Sequence, residues 1–574
     1  MIEDIYEPLS KYRDEFKDKF ARLTQEKFQS LTNESGIDIE ANRQLVRQIK
    51  ALQTAISRLS IKKTLLTLLA VLSFVVVLAA IGFVCVRGAA NRQELMICCA
   101  GGLVGLVLGC LAIHWRRGIA ERLATAQQKL AADMASAWRQ MEPLNALFTW
   151  DITVKLIEAT VPRLAFDPYS TAERLLALRT HYGWNDFAEN RKSMIFAQTG
   201  VINGNPFAFV RYLQMRWGEE TYHGTKTISW METVRDEKGR PRRVRRQEVL
   251  HASLTKPKPF HDEHKELIYG NEAAPNLFFS REPSGLTGQN GLWGSLRKYW
   301  RLRRLKAFSA NLDDASQYTL MANHEFETWF HAKNRDNEVE FRLLFTPIAQ
   351  TQLMALMKDE KVGFGDDFKF TKIHMMNFLS SEHLDKATIE TDPARFRSWD
   401  YDASAAEFKL FNERYFKDVY FAFAPLLAIP LYQQTRTHEE IWKGIIDESP
   451  ASSWEFEATA NFHGEGKFRH PDSVTRNILK TEVVEESEES RLVSVTAHGF
   501  KGIKHIEHVS VFGGDGAFHD VPVEWIEYVP VARMREMAVS EAKKPSADFG
   551  SAFEAAPIKA YRRHLFSYLG KDLS

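Results

Sequence analysis

Two apolar runs constrain this chain more than anything else in it. Thr64 to Val86 is 23 residues without a formal charge, and Leu95 to Trp115 is 21 more. A bilayer core about 30 Å thick is crossed by roughly 20 apolar helical residues, so each run is long enough to span it. A charge at mid-membrane costs about 2.5–3.5 kcal/mol on insertion scales, and neither run carries one. Two buried core helices would be the competing explanation, and the basic residues flanking both runs argue against it. The first run starts after 63 residues and a second follows, which is not the pattern of a cleaved leader.

Only Arg87 to Glu94 joins the runs, enough to turn a helical hairpin but not to form a domain. Arg47, Lys50, Arg58, Lys62 and Lys63 precede the pair, Arg116, Arg117, Arg122 and Lys129 follow it, and the joining loop holds Arg87 and Arg92. This asymmetry predicts a two-pass protein with both termini in the cytoplasm. All four cysteines (Cys85, Cys98, Cys99 and Cys110) lie in or beside the apolar runs. The rest of the chain therefore has no disulfide framework, CxxC zinc site or cysteine nucleophile. Gly101, Gly105 and Gly109 form a GxxxGxxxG ladder in the second run, a spacing that lets another helix backbone approach closely. The ladder packs either on the first run or on a second copy of the chain.

The flanking segments read as helices. Ile5, Leu9, Tyr12, Phe16, Phe20, Leu23, Phe28 and Leu31 recur at near-helical spacing, and Ser35-Gly36 breaks them. Leu45, Ile49, Leu52, Ile56 and Leu59 form a heptad seam leading into the first run. Ile119, Leu123, Ala126, Leu130 and Met134 continue the second run in the same way. The expectation is an antiparallel helical stalk, with intersubunit pairing of the seams as the alternative.

At 574 residues there is room for several domains. The expected class is α+β: a transmembrane helical hairpin with a helical stalk, followed by β-rich cytosolic domains. The expected divisions are N-terminal helices and stalk over 1–63, the hairpin over 64–115 and a stalk helix over 116–150. An α+β domain with a long basic hairpin follows over 151–282, a second α+β domain over 293–447, a β-rich domain over 453–532 and a tail over 533–574.

Local signals fill in that body. Ser170-Thr171-Ala172-Glu173 reads as a capping box opening a helix through Leu178. Strands at Ser193–Thr199 and Phe207–Met215 flank Asn203-Gly204-Asn205-Pro206. Strands at Thr225–Val234 and Val244–Leu254 flank Asp236-Glu237-Lys238-Gly239. The returning arm of that second hairpin carries Arg240, Arg242, Arg243, Arg245 and Arg246, with polar residues on both faces. Its tip therefore projects into water or meets an anionic partner. Pro283 to Leu292 reads as a linker. Trp293 to Phe308 then combines Arg297, Lys298, Arg301, Arg303, Arg304 and Lys306 with Trp293, Leu296, Tyr299 and Trp300. Basic amphipathic helices with Trp favour anionic bilayer surfaces. Arg242, Arg243, Arg245, Arg246, Arg297, Lys298, Trp300, Arg301 and Arg304 are thus the expected contacts to membrane surface or partner.

Phe326–Phe330 and Val339–Phe345 read as strands around Asn334-Arg335-Asp336-Asn337, followed by a helix capped by Thr346-Pro347. Val419–Tyr432 is apolar but broken by Pro425 and Pro430, hence core. Trp454, Phe456, Ala458, Ala460 and Phe462 alternate as a strand would. Ile478–Val484 and Leu492–His498 read as strands around an acidic turn over 485–490. Lys543-Lys544-Pro545-Ser546 reads as a linker, and Ile558, Tyr561, Leu565 and Tyr568 as one face of a closing helix.

Two of these elements carry a resemblance. The short glycine-turn hairpin Gly200–Phe209 and the strand-then-Thr-Pro-helix element Glu338-Val339-Glu340-Phe341-Arg342-Leu343-Leu344-Phe345-Thr346-Pro347 resemble elements of a bacterial family of two-span inner-membrane proteins. That family has a cytosolic α+β body and no established function. The resemblance covers roughly 60–370 and implies a bacterial inner-membrane location and this topology. It carries over no catalytic residue.

Motifs of chemistry are sparse. There is no GxxxxGK[ST] loop and no GxSxG elbow, and His438-Glu439-Glu440-Ile441-Trp442 lacks the second histidine of HExxH. His261-Asp262-Glu263-His264 sits in a Pro-rich stretch. His463, His470, His498, His505, His508 and His519, with Asp515 and Asp520, are the one set that a metal-dependent hydrolase would use, although His505 and His508 fall on opposite faces of a strand. No cofactor is implied. Lys+Arg of 75 against Asp+Glu of 74 argues against a dedicated nucleic-acid binder. The expected function is a membrane-anchored cytosolic scaffold or sensor. Its partners are the lipid bilayer, an unidentified protein and, through the glycines, a second copy of itself. The alternatives are an oligomerising effector that perturbs the bilayer, and the hydrolase.

Overall fold

In a computed structural model of the full chain, the described residues are 5–87, 92–167, 172–184, 191–235, 240–287, 292–310, 318–436, 451–486, 490–540, 558–559 and 566–569. The chain is mixed α+β and divides into two compact units. One comprises 21–152 and 392–413; the other comprises 1–20, 153–391 and 414–574.

The first unit is helical. Ile39–Arg87 and Arg92–Leu147 are helices of 49 and 56 residues, each long and apolar enough to cross a membrane. Gly36 ends the preceding helix with φ 61, a conformation glycine adopts without strain. The two long helices pack side by side in opposite directions. A Cβ built on Gly105 would stand 3.2 Å from Val77 Cγ2, and one on Gly109 would stand 3.5 Å from Ser73 Cβ, while Gly101 has nothing within 4 Å. Most of the large apolar side chains in both runs point outward, among them Leu68, Leu72, Phe74, Leu103, Leu106 and Val107. Ile49 and Leu123, on the two heptad seams, are buried. Phe28, Phe148, Phe396 and Phe408 close the end remote from the apolar runs, with ring centroids 5.0–6.4 Å apart.

The second unit holds two antiparallel sheets. β1 (Leu164–Phe166), β2 (Lys192–Ile202), β3 (Asn205–Arg235), β4 (Pro241–Gly270), β5 (Phe278–Arg281), β6 (Phe368–Ile373) and β7 (Met376–Ser381) form the first, in the order β1-β2-β3-β4-β7-β6-β5. Segments 151–282 and 293–447 thus contribute to one sheet. β8 (Ile478–Glu486), β9 (Ser490–Phe512), β10 (Phe518–Ser540), β11 (Ile558–Lys559) and β12 (Phe566–Leu569) form the second, in the order β11-β12-β10-β9-β8. The Asn203-Gly204 turn and the strands of three of the four expected hairpins are present, the later two of these much extended. Turn residues 236–239 and 487–489, like 88–91, Ser170-Thr171, 288–291, 439–441 and 543–546, lie outside the described residues.

β3/β4 is a ribbon of 31 and 30 residues, and the β9/β10 hairpin lies across it. Ile228, Leu250, Ala252, Val521 and Val523 bury the crossing. Gly224 makes it close: a Cβ there would stand 2.1 Å from Pro522 O. Gly224→Val is expected to cost roughly 1–3 kcal/mol as overpacking and to part the two ribbons. Hydrogen exchange should quicken at 226–234 and 519–523 while β6 and β7 stay protected.

Three assignments from sequence are corrected. Phe326–Phe330 and Val339–Leu344 belong to helices His324–Phe330 and Glu338–Leu344, not strands, with Phe345 as the C-cap of the second. Asn323 and Asn337 cap them, accepting from Phe326 N and Glu340 N at 3.1 Å each. What looked like hairpin-turn asparagine is cap chemistry. Trp454–Phe462 is helical within Ser453–His463, because Ser452 and Glu455 form a capping box. The tail residues 558–559 and 566–569 are strands, β12 extending the sheet beside β10. The expected helix capped by Thr346-Pro347 is present and runs to Lys358, and Val419–Tyr432 is largely buried core.

Candidate functional site: a cationic cleft and a basic ribbon

The basic segment forms one helix, Leu292–Ala310. Buried Leu305 holds it, with Phe308 packing against Tyr318. Leu296, Tyr299 and Trp300 are 46%, 59% and 49% exposed. An ordinary surface helix would turn such an apolar arc inward. Arg297, Arg301 and Arg304 follow at i, i+4 and i+7, which places them on one face.

That face forms a cleft of about 650 Å³, lined by Arg297, Trp300, Arg301, Arg304, His331 and Lys333. Arg301 Nη1 lies 3.5 Å from Thr328 O, at the limit of a hydrogen bond. Burial pushes its guanidinium down from the ordinary value, and Arg297 and Arg281 add to the effect. His331 ends helix His324–Phe330 in the left-handed region, φ 54, and its side chain lines the cleft. Burial first, then Arg301, Lys333 and Arg281, push its imidazole down to about 4. Its Nδ1 is buried without a hydrogen-bond partner. Lys333 Nζ sits 5.5 Å from the Phe308 ring centroid. Among the described residues, no carboxylate lines it. Asp366, whose charge Arg301 also feels, already accepts from Arg281 Nη2 at 2.5 Å and Ser284 N at 2.6 Å.

The structure therefore brings Arg297, Trp300, Arg301 and Arg304 together. Lys298 is on the helix, but its side chain lies outside the described residues. His331 and Lys333 escape a sequence reading that places them between two strands; recognising Asn323 as a cap would have put His331 at a helix terminus. Arg242, Arg243, Arg245 and Arg246 lie on β4 rather than in the cleft. All four are exposed, opposite Val234, Thr233, Met231 and Trp230 of β3. Arg246 Nε reaches Glu232 at 2.8 Å and Arg245 Nη2 reaches Ser229 Oγ at 3.3 Å. Phe512 and Phe518, 60% and 72% exposed, bracket the β9/β10 tip, where Gly514 N donates to Glu248 Oε2.

The histidine set does not converge. His463 Nε2 meets Ser567 Oγ at 2.5 Å, His505 meets Glu527 and His519 meets Asp515. Among the described residues no three His, Cys, Asp or Glu side chains group to hold a metal. The hydrolase alternative therefore gains nothing from the geometry. No protein-family model, no curated protein and no solved structure matches the chain.

Proposed function

We propose that the chain is a bacterial inner-membrane protein, anchored by a two-pass hairpin with both termini in the cytoplasm. Helices 39–63 and 116–147 serve as its stalk, and its body is a scaffold or sensor that engages anionic surfaces. The observation that carries this reading is the outward-facing apolar surface of the two long helices. A water-soluble fold would bury Leu68, Leu72, Phe74, Leu103 and Leu106, and they are 57–68% exposed apart from the buried strip between the helices. The same surface lies between basic flanks, as a cytosolic anchor requires. The exposed Leu296-Tyr299-Trp300 arc beside Arg297, Arg301 and Arg304 supports membrane-surface contact, because aromatic and cationic groups together suit the headgroup layer. A protein partner is the other occupant of these surfaces. The effector reading keeps only Gly101 as an open helix-packing position, since Gly105 and Gly109 already face the first helix.

The test uses the full chain in nanodiscs. Trypsin cleaves at the exposed Arg242–Arg246 stretch and on helix 292–310. Anionic lipid is expected to slow that cleavage relative to phosphatidylcholine. About 1 M salt, where the screening length falls to about 3 Å, should restore it. Equal cleavage rates in both lipids would remove the anionic-surface reading. Recovery of the detergent-free chain in the aqueous fraction would remove the anchor.

A further inference from the structure

We propose that the cleft between helix 292–310 and the His331–Lys333 segment is a binding site for a phosphate-bearing ligand, either a lipid phosphate headgroup or a free phosphate compound. The inference rests on the anionic-surface reading above and makes it specific, a pocket in place of a charged face.

Among the described residues, the cleft gathers three guanidinium groups, one ammonium and one imidazole, with no carboxylate in the lining. Surface cations that only keep a protein soluble are interspersed with acids, as Lys11/Glu15, Lys386/Glu382 and Lys369/Glu282 are here. Arg297, Arg301, Arg304 and Lys333 have no ion pair among the described residues. Such a concentration of one sign repels itself, and a multiply charged anion relieves the repulsion. A monocarboxylate would leave most of it in place. The planar guanidinium fork matches phosphate geometry, and three forks on one helix face can share its oxygens.

His331 supplies an independent observation. A buried ring nitrogen that no protein group meets is costly unless a group from outside the protein bonds to it. In a neutral imidazole, Nδ1 either donates its proton or accepts one. A phosphate at neutral pH offers both acceptor oxygens and, as the monoanion, a hydroxyl donor, so it satisfies either tautomer. Burial first, and then Arg301, Lys333 and Arg281, keep this ring neutral, and the three cations are charges the ligand would offset. The volume of about 650 Å³ falls within the range of roughly 300–1,000 Å³ typical of small-molecule sites. It exceeds the needs of a bare phosphate, leaving room for an organic substituent against Trp300.

The experiment is isothermal titration of inorganic phosphate into the full chain, purified in a phosphate-free non-ionic detergent. One saturable site is expected. Losing one charge-assisted hydrogen bond weakens affinity by about tenfold or more. Arg304→Ala, an exposed position, and Arg301→Lys, which keeps the charge but loses the fork, should each show that loss. Lys409→Ala, an exposed cation outside the cleft, should leave the affinity unchanged. Repeating the titration in nanodiscs separates the ligand sources. If phosphatidic acid abolishes the phosphate heat and phosphatidylcholine does not, the ligand is a lipid headgroup. If both leave it intact, the ligand is a free phosphate compound. Absence of saturable heat, or equal affinity in wild type, Arg304→Ala and Arg301→Lys, overturns the proposal. Lipid-dependent protection from trypsin could persist in that case, so the pocket can fail while the anionic-surface reading stands.

Discussion

Lys372→Met is expected to make the sheet-containing unit more stable at pH 7, against the usual direction of a core substitution. Lys372 lies on β6 between Phe279 of β5 and Asn377 of β7, and its side chain is fully buried. Its Nζ has no hydrogen-bond partner. The Tyr432 ring centroid is 5.5 Å away, and the Tyr432 hydroxyl donates instead to Asn377 Oδ1 at 2.5 Å. Burial pushes the ammonium down to about 7 from an ordinary 10.5, with Glu340 opposing only weakly. The unfolded chain then binds more protons than the folded one between pH 7 and 10.5, so this group makes stability rise with pH across that window. Below pH 7 the whole penalty is present, on the order of 4 kcal/mol. Methionine has a similar length and no charge. The variant should exceed wild type by a few kcal/mol at pH 7, and the two should converge towards pH 10. Exchange protection of the β5–β7 amides against pH measures this. A variant less stable than wild type at pH 7 would mean that the amine makes a bond worth more than its burial costs.

Lys372 was in principle legible. In Phe368-Lys369-Phe370-Thr371-Lys372-Ile373 the alternation puts it on the face of Phe368 and Phe370, which is a charge on the wrong side of a strand. Alternation also revealed β2 with the start of β3, and β8 with β9, where hairpin turns punctuate it. The same rule failed at Trp454–Phe462, because small residues at Ala458 and Ala460 let a helix present the same apolar pattern. There the deciding signal was local, Ser452 reaching Glu455 N, and a cap of this kind outweighs a weak period. At Phe326–Phe345 two asparagine caps settled the question in the same way. The apolar runs were legible because each exceeds 20 residues, carries no formal charge and lies between basic flanks. The cleft was half legible: Arg297, Arg301 and Arg304 share a helix face that any wheel shows. His331 and Lys333 reach it only through a tertiary contact between helices 292–310 and 324–330. The joining of 151–282 and 293–447 in one sheet had no local signal at all, since β4–β7 pairing spans more than a hundred residues.

Asp366→Ala, just before β6, should be strongly destabilising. Arg281 and Asp366 are both fully buried side chains, 2.5 Å apart. The guanidinium lies 4.3 Å from the Phe368 ring centroid and 5.3 Å from that of Phe330, while its Nε and Nη1 have no hydrogen-bond partner. Desolvation opposes the charge, and Asp366 is the first of the groups that offset it. Removing that carboxylate leaves an unpaired cation in an aromatic core and also strands Ser284 N, at a cost of about 3–5 kcal/mol. Replacing both charges is a different experiment. Arg281→Met with Asp366→Asn keeps an acceptor for Ser284 N and removes the cation, so it should fall within about 1–2 kcal/mol of wild type, because a buried pair adds little net stability over an apolar replacement. The double variant has a second consequence at the cleft. Arg281 is one of the three cations that hold the His331 imidazole down to about 4. With Arg281 gone, the His331 titration followed by NMR should move upward, although burial, Arg301 and Lys333 keep it below an ordinary histidine. A double variant as unstable as Asp366→Ala would show that the guanidinium contributes through its stacking on Phe368 and Phe330 and not through its charge. An unmoved His331 would show that Arg281 is electrostatically isolated from the cleft.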